Sequence, residues 1–269
     1  MPDPDMPDLD KHDLYEACVQ SPAHLVPLLR AIGRDGIVHG GDPPRVLGED
    51  FAGTAALSHE WIATDPEARA IAVDLDADAL TKHGDHERIT RVIGDVLHCT
   101  TPADLIFVGN FSIGYLHTRA ELVKYLRHAR SRIDGSGCFV CDTYGGESAF
   151  VLGGVHRPHP LGDGRVCRYT WEQHEADPIT GMVTNLIHFR VERAGVIEEE
   201  FTDAFIYRWR LWSVPELRDA MAEAGFKTTQ VYAKLAEAMD EDGNAFTTPV
   251  EDGQEELDDN FIVLVVGRT

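Results

Sequence analysis

The chain has 269 residues, 43% of them hydrophobic, so it can bury a full core as one large domain or two small ones. Its 24 lysines and arginines are outnumbered by 46 aspartates and glutamates, which gives a formal net charge of −22. Affinity for a nucleic-acid backbone requires basic groups that neutralise phosphates, so this charge argues against a nucleic-acid partner and favours a soluble surface or a cationic substrate.

The first segment is acidic and proline-rich and predicts a loosely attached tail at residues 1–12. It lacks the basic end and apolar stretch of a secretory signal. Elsewhere the apolar runs fall short of the roughly 18 residues of a membrane helix. We therefore expect a cytoplasmic protein that contacts no membrane.

The next part of the chain alternates helices and strands. Residues 13–32 have apolar positions at near-helical spacing, and Pro22 and Pro27 predict a division into two short helices. Strands are predicted at residues 45–48, 70–74, 90–93 and 105–108, and helices at 54–63, 76–83 and 118–133. This alternation, with continuous apolar strands, predicts a mostly parallel sheet with helices on both faces.

A turn at residues 134–137 leads into a fifth strand that contains Cys138 and Cys141. Residues three apart on a strand point to opposite faces, so we expect two buried core thiols and no metal site. The five cysteines are odd in number and scattered, which argues against a disulfide framework.

The pattern changes at residue 144. Strand-like runs at residues 166–173, 182–192 and 196–212, separated by turns at 177–178 and 193–195, predict an antiparallel β insert over residues 144–212. A helix then begins at Ser213 and ends at Gly225, and strands at 227–232 and 261–267 flank an acidic loop. We expect residues 13–143 and 213–269 to form one sheet domain.

Four short segments recur in order, at residues 46–55, 71–74, 94–96 and 103–111. Each pairs an apolar strand with a small or acidic residue near its exit, which suits a nucleotide-like ligand laid across the carboxyl edge of a parallel sheet. Gly53 allows close backbone approach, and Asp74 can accept hydrogen bonds from a ribose diol. Their separation is about the 20 residues that a strand–helix–strand unit requires.

These segments, with Glu-Ala-Gly-Phe at residues 223–226 and a final apolar strand, resemble the Rossmann-fold (class I) S-adenosylmethionine-dependent methyltransferases over residues 13–269. The family's loop after the first strand usually reads acidic-x-Gly-x-Gly-x-Gly. Glu49 matches the acidic position and Gly53 the middle glycine, whereas Phe51 and Ala55 stand where the outer glycines usually are. A phenylalanine adopts positive φ only at a cost, so the loop is where this chain departs from the family pattern.

The resemblance implies an α/β fold: a Rossmann-like sheet of seven strands, mostly parallel with the last antiparallel, with the β insert as a substrate cap. It implies S-adenosylmethionine as cofactor, S-adenosylhomocysteine as product, and N- or O-methyl transfer to a small molecule. Asp74 would bind the ribose, Asp95 the adenine amino group, and Asn110 and Phe111 the methionine part, with Tyr15 folded over the cofactor. The full implied cofactor set is Tyr15, Glu49, Phe51, Ala52, Gly53, Asp74, Leu75, Asp95, Val96, Asn110 and Phe111.

For the substrate we expect contacts from Trp171, Arg208, Arg210 and Trp212 in the insert. Alternation places the two arginines on one strand face, where they suit a carboxylate or phosphate or pair with nearby glutamates. A base is needed only for a protonated acceptor, and the candidates are Tyr144, His117 and His188. His156 and His159 lie in a predicted Gly/Pro-rich loop without a carboxylate cluster, so no metal site is predicted there.

Other functions stay open. A non-catalytic protein that binds S-adenosylmethionine or S-adenosylhomocysteine would keep the same edge residues. A nucleic-acid base methyltransferase is disfavoured by charge, and residues 110–113 lack the prolines of the base-methylase loop. An NAD-dependent dehydrogenase could also use Asp74, but it requires the G-x-G-x-x-G turn that Gly53 lacks. A homodimer is also left open.

Overall fold

The computed structural model describes residues 9–35, 43–162, 164–236, 238–241, 243–250 and 257–269. Its helices are α1 Lys11–Cys18, α2 Pro22–Asp35, α3 Ala56–Ala63, α4 Ala77–Leu80, α5 Arg119–Arg132 and α6 Val214–Ala224. Its strands are β1 Val46–Asp50, β2 Arg69–Asp74, β3 Ile89–Ile93, β4 Ala103–Val108, β5 Ile133–Gly146, β6 Gly153–Pro160, β7 Arg165–Asp177, β8 Met182–Arg193, β9 Val196–Arg210, β10 Thr228–Ala233, β11 Ala238–Met239, β12 Ala245–Phe246 and β13 Asn260–Arg268. Within these ranges no helix is long and apolar enough to cross a membrane.

The main sheet has seven strands in the order β10-β13-β5-β4-β1-β2-β3. β1 to β5 pair in parallel, and β13 runs antiparallel to both β5 and β10. The predicted mostly parallel sheet with an antiparallel last strand is therefore confirmed. The strand order reverses between β1 and β4, which is where ligands bind in open α/β sheets.

Side-chain caps explain why several predicted helix boundaries are right. Thr118 and Glu121 form a reciprocal capping box at the start of α5, and Ser213 and Glu216 do the same for α6. Gly225 ends α6 with a left-handed φ of 98°.

The first two helices are present as predicted, with the second beginning at Pro22, but their bounds and the role of Pro27 differ from the prediction. Of the expected tail, residues 1–8 lie outside the described residues, whereas Lys11 already belongs to α1, whose cap is Asp10. Pro27 does not interrupt the helix and lies inside α2. The helix continues because it buries Val26, Leu29 and Ile32, which outweighs the roughly 3 kcal/mol that an internal proline costs.

The predicted turn at residues 134–137 is also wrong, because β5 begins directly after α5 at Ile133. Ile133 pairs with Ala103 and Cys138 with Leu105, so a bulge takes up the extra residues. Further along β5, Cys138 and Cys141 are buried in different core clusters on the two sides of the sheet. This confirms the predicted core thiols.

The insert is an antiparallel sheet of four strands, β6-β7-β8-β9, where the sequence predicted three. The missed strand is β6, which contains His156 and His159. It was not predicted because prolines usually interrupt strands. However, β6 is an edge strand, and an edge position tolerates a residue without an N–H. The expected acidic loop contains a short β11–β12 hairpin in the part that is described.

Candidate cofactor and substrate site

A cavity of about 730 Å³ opens at the carboxyl edge of β1 to β4, beneath α1, the start of α2 and β9. Its wall contains all the expected cofactor residues except Phe111, namely Tyr15, Glu49, Phe51, Ala52, Gly53, Asp74, Leu75, Asp95, Val96 and Asn110. Residues from four separate loops therefore meet at the point where the strand order reverses.

The loop after β1 has the left-handed backbone of a glycine-rich loop, but Gly53 is its one glycine between Phe51 and Ala55. Phe51, Gly53 and Ala55 have φ values of 60°, 55° and 59°, all in the left-handed region. The non-glycine residues each cost roughly 1–2 kcal/mol in this conformation. The Phe51 ring stacks on Tyr115 at 6.1 Å between centroids and meets the edge of Tyr125 at 5.9 Å, and these contacts offset the cost.

Asp74 at the end of β2 is held in place from two sides. Its Oδ2 accepts the Gly53 N–H at 2.7 Å, and its Oδ1 accepts the Asp76 N–H at 2.8 Å. The Ala52 N–H also reaches across to the Val73 carbonyl oxygen at 2.9 Å. A carboxylate has about four acceptor sites, so Asp74 keeps two for a ligand such as a ribose diol.

Glu49 and Thr54 are buried polar residues in the same wall. Glu49 is 7% exposed and accepts bonds from the Ser58 N–H at 2.9 Å and hydroxyl at 2.5 Å. Burial raises the pKa of Glu49 to about 7. Thr54 is 3% exposed, and its hydroxyl has no hydrogen-bond partner within the described residues. Sequence reasoning missed Thr54, for which the only signal was its place beside Gly53.

The adenine end of the expected site is more open. Asp95 is exposed and caps the short 3-10 helix Val96–His98 by accepting the Leu97 N–H at 2.8 Å. Val96 is buried beneath it, and Leu75 is 74% exposed. Asp95 therefore keeps free acceptor sites facing solvent or a ligand.

The loop after β4 contains two consecutive non-glycine residues with positive φ, Asn110 at 52° and Phe111 at 62°. Asp142 on β5, which is fully buried, accepts the N–H of Asn110 at 3.0 Å and of Phe111 at 2.7 Å. The Lys234 ammonium group lies 2.7 Å from the same carboxylate. Sequence reasoning missed this arrangement, although an acid near the end of β5 could have signalled it.

The roof of the cavity is aromatic. Phe205, Tyr207 and Trp209 follow one another on one face of β9, with centroid separations of 6.1 Å and 4.4 Å. The Tyr15 ring of α1 lies 4.9 Å from Phe205. Burial raises the pKa of both Tyr15 and Tyr207, so their phenols stay neutral near physiological pH.

Salt bridges hold α1 over the cavity. Lys82, which follows α4, lies 2.7 Å from Asp10 and 2.8 Å from Asp13. The next residue, His83, lies 2.8 Å from Glu16. On its other side α1 packs Leu14 into the apolar cluster of the cap sheet. The helix therefore joins the cap to the main sheet.

The arginines expected to bind substrate lie outside the lining of this cavity. The Arg210 guanidinium stacks 3.8 Å over Trp212 and lies 3.1 Å from Glu216. Trp212 is 1% exposed and donates its Nε1–H to the Leu116 carbonyl at 2.9 Å. Arg208 is exposed. Apart from three tyrosines, the ionisable residues that line the cavity are mainly acidic: Glu49, Asp74, Asp76, Asp95 and Glu121, against Lys124 and His12.

The candidate bases lie in different places. Tyr144 donates its hydroxyl to Gln173 at 3.0 Å, and its ring lies 4.9 Å from Phe111 and 6.1 Å from Trp171. Burial raises the pKa of Tyr144. Trp171 and Tyr144 therefore share an aromatic cluster next to the cofactor loop.

The two histidines are apart from this cluster. His117 Nε2 lies 2.8 Å from the Arg208 carbonyl oxygen and donates to it. His188 pairs in register with Thr170, so it lies on the face of the cap opposite to Trp171. There its Nδ1 accepts the Asp203 N–H at 3.0 Å. Among the described residues no cluster of three or more His, Cys, Asp or Glu is arranged to hold a metal ion.

No family model and no curated protein matches this sequence. Solved structures do match its shape. DesVI from Streptomyces venezuelae has a TM-score of 0.68 at 17% identity, covering 97% of this chain and 98% of that one. The sugar N-methyltransferase KedS8 from Streptoalloteichus gives 0.66 at 17%, covering 98% and 96%. The amino pentose methyltransferase CalS10 from Micromonospora echinaspora, solved with S-adenosylmethionine, gives 0.65 at 15%, covering 95% and 95%. This likeness confirms the predicted fold, a Rossmann-like methyltransferase sheet with an antiparallel insert.

Proposed function

We propose that this protein is an S-adenosylmethionine-dependent methyltransferase that acts on a small molecule. The observation that carries the proposal is the convergence on one cavity of the left-handed Gly53 loop, the fixed Asp74 carboxylate and the Thr54 hydroxyl, which has no partner among the described residues. That combination offers a close backbone approach, an acceptor for a diol and a buried group that still requires a partner.

The residues present fit the cofactor. Asp74 keeps two acceptor sites for the ribose, and exposed Asp95 offers a carboxylate to an adenine amino group. The buried Thr54 hydroxyl suits the methionine end. When bound, S-adenosylmethionine supplies an electrophilic methyl group on a cationic sulfonium, and an acidic cavity wall favours that cation.

Positioning and exclusion of water are the main contributions of the chain to such a transfer. The aromatic roof and α1 cover the cavity, which shields a cationic donor from solvent. Tyr144, with its raised pKa, serves as a hydrogen-bond donor near neutral pH and not as a base. His117 donates from Nε2 to the Arg208 carbonyl oxygen and does not line the cavity, so it is not assigned a role in the transfer.

An amine is the acceptor that this site suits best. The acidic lining disfavours carboxylates and phosphates, and the arginines that would bind such groups lie elsewhere. Two of the structural neighbours are a sugar N-methyltransferase and an amino pentose methyltransferase, and we propose the amino group of a small polar molecule as the acceptor. Cytoplasmic location and a homodimer stay predictions.

Titration calorimetry with S-adenosylmethionine and S-adenosylhomocysteine tests the proposal. Wild-type protein should bind both, and Asp74→Ala should lose about tenfold or more in affinity, because it removes charged hydrogen bonds worth about 1.5–3 kcal/mol each. Asp177→Ala is the matched control, since Asp177 also accepts two bonds, from Ile179 and Thr180, but in a distant turn of the cap. The proposal fails if neither ligand gives heat with wild type. Binding without methyl transfer to any amine, hydroxyl or acid acceptor would favour a non-catalytic binding protein.

A further inference from the structure

The carboxylate of Asp142 joins three parts of the chain at the edge of the cavity. Its Oδ2 accepts the Asn110 N–H at 3.0 Å and lies 2.7 Å from Lys234 Nζ, and its Oδ1 accepts the Phe111 N–H at 2.7 Å. The donors come from the loop after β4 and from the residue after β10. Asp142 is fully buried, so water does not replace these partners.

These bonds stabilise an unfavourable backbone conformation at Asn110 and Phe111. Asn110 and Phe111 are consecutive and both left-handed, a pairing that sterics disfavour for residues with a side chain. Bonds to an ionised acceptor are stronger than neutral ones, and two successive N–H groups point at the same carboxylate. Asp142 therefore stabilises the turn directly, and Lys234 supplies the counter-charge.

The turn separates two parts of the site. Asn110 lines the cofactor cavity, whereas the Phe111 ring lies 4.9 Å from Tyr144 and 6.0 Å from Trp209. Lys234 Nζ also lies 5.4 Å from the Phe111 ring centroid. One ion pair with a fully buried carboxylate thus sets the position of both the backbone and the ring of this partition.

We propose that Asp142 is a positioning residue for methyl transfer. Through Asn110 it shapes the methionine end of the cofactor cavity, and through Phe111 it shapes the wall that an acceptor meets. The inference rests on the proposed function and adds to it a residue that does not itself line the cavity.

The test compares Asp142→Asn with Asp104→Asn. Asp104 is a chemically matched control, because its Oδ2 accepts two successive N–H groups, of Arg45 and Val46, both at 2.8 Å, at the opposite edge of the sheet. For each variant we would measure the melting temperature, S-adenosylhomocysteine affinity by calorimetry, and amide hydrogen exchange at residues 110 and 111 without ligand. Asp142→Asn should weaken binding about fivefold or more and speed exchange at both amides, whereas Asp104→Asn should lower the melting temperature with affinity within about twofold of wild type.

Three results would overturn the inference: unchanged affinity in Asp142→Asn, unchanged exchange at both amides, or an equal loss of affinity in the control. Should Asp142→Asn not fold, Lys234→Met leaves the buried Asp142 carboxylate without its counter-charge, which destabilises the turn that this carboxylate holds. It should still weaken binding and speed exchange, and no change in either would contradict the positioning role. If wild type binds no ligand while exchange rises in Asp142→Asn, the proposed function fails although the restraint on the loop is real.

Discussion

Phe51 and Ala55 adopt a left-handed backbone although both carry a side chain. Both are left-handed where glycines are usual, and Ala55 is fully buried while the Phe51 ring lies between Tyr115 and Tyr125. Packing therefore stabilises a conformation that glycine would adopt without strain. The ring also forms part of the cavity wall, a role that glycine has no side chain to fill.

Truncation of Phe51 separates these two effects. Phe51→Ala and Phe51→Gly both lose the ring contacts, but only glycine relieves the positive φ. We expect Phe51→Gly to be more stable than Phe51→Ala by about 1 kcal/mol in urea unfolding, the reverse of the usual order. A glycine variant less stable than the alanine variant would show that the loop is not left-handed at residue 51.

Glu49 predicts a pH dependence of stability. Its pKa is raised by burial from 4.5 to about 7 in the folded protein. A group whose pKa is raised by folding stabilises the folded state at pH values below its unfolded pKa. This stabilisation is lost as the pH rises through the folded pKa. The free energy of unfolding should therefore fall, through Glu49, as the pH passes from about 5 to about 8. Glu49→Gln removes this titration, so its free energy of unfolding should gain about 2–3 kcal/mol relative to wild type over that interval.

Urea unfolding of both proteins at each pH measures this gain, and titrating groups that do not interact with Glu49 cancel in the difference. A parallel pH dependence in wild type and Glu49→Gln would mean that Glu49 does not carry a raised pKa. The bonds from Ser58 favour the charged form and oppose burial, so Ser58→Ala should raise the pKa of Glu49 further.

At the level of elements, salt bridges hold α1 in place over the cavity. Lys82 contacts Asp10 and Asp13, and Tyr15 and His12 from the same helix line the cavity. Loss of the lysine charge should free the helix without disturbing the sheet beneath.

Lys82→Met should therefore speed amide exchange in α1 and weaken S-adenosylhomocysteine binding about two- to fivefold, as expected from about 1 kcal/mol of ion pairing. Lys227→Met, which changes an exposed lysine before β10, is the control and should alter neither quantity. Exchange in α1 equal to that of wild type would show that other contacts hold the helix.

The elements that sequence predicted well are those with local signals. Capping pairs such as Thr118 with Glu121 lie within one turn, so they can be read directly from the chain. The strand β6 and the continuous α2 were missed because tertiary burial and an edge position make prolines acceptable there. The start of β5 was missed because a bulge against β4 absorbs residues that resemble a turn.

The residues of the site were likewise predicted where the signal was local and missed where it was not. Residues that follow strands, such as Asp74 and Gly53, were predicted because parallel strands bring their carboxyl ends together. Asp142 and Thr54 were not predicted. The role of Asp142 depends on hydrogen-bond partners 31 to 32 residues away, and that of Thr54 depends on burial without a partner among the described residues. The pairing of Arg210 with Glu216 depends on how the cap joins α6, which strand alternation does not reveal.

On the scale of the whole molecule, the net charge of −22 should act on cofactor binding. S-adenosylmethionine is a cation and S-adenosylhomocysteine is not, so the acidic protein should attract the first more. We expect the ratio of their affinities to fall as salt rises from about 0.02 M to about 0.2 M, because ions screen this attraction. Calorimetry of both ligands at each salt concentration measures the ratio. A ratio that does not vary with salt would contradict an effect of the net charge on cofactor binding.

The most direct measurement is a crystal structure of the protein grown with saturating S-adenosylhomocysteine. We expect ligand density in the cavity beneath α1, with both ribose hydroxyls bonded to the Asp74 carboxylate and the homocysteine arm running past Gly53 toward Asn110. An empty cavity, or a nucleoside bound elsewhere on the molecule, would contradict it.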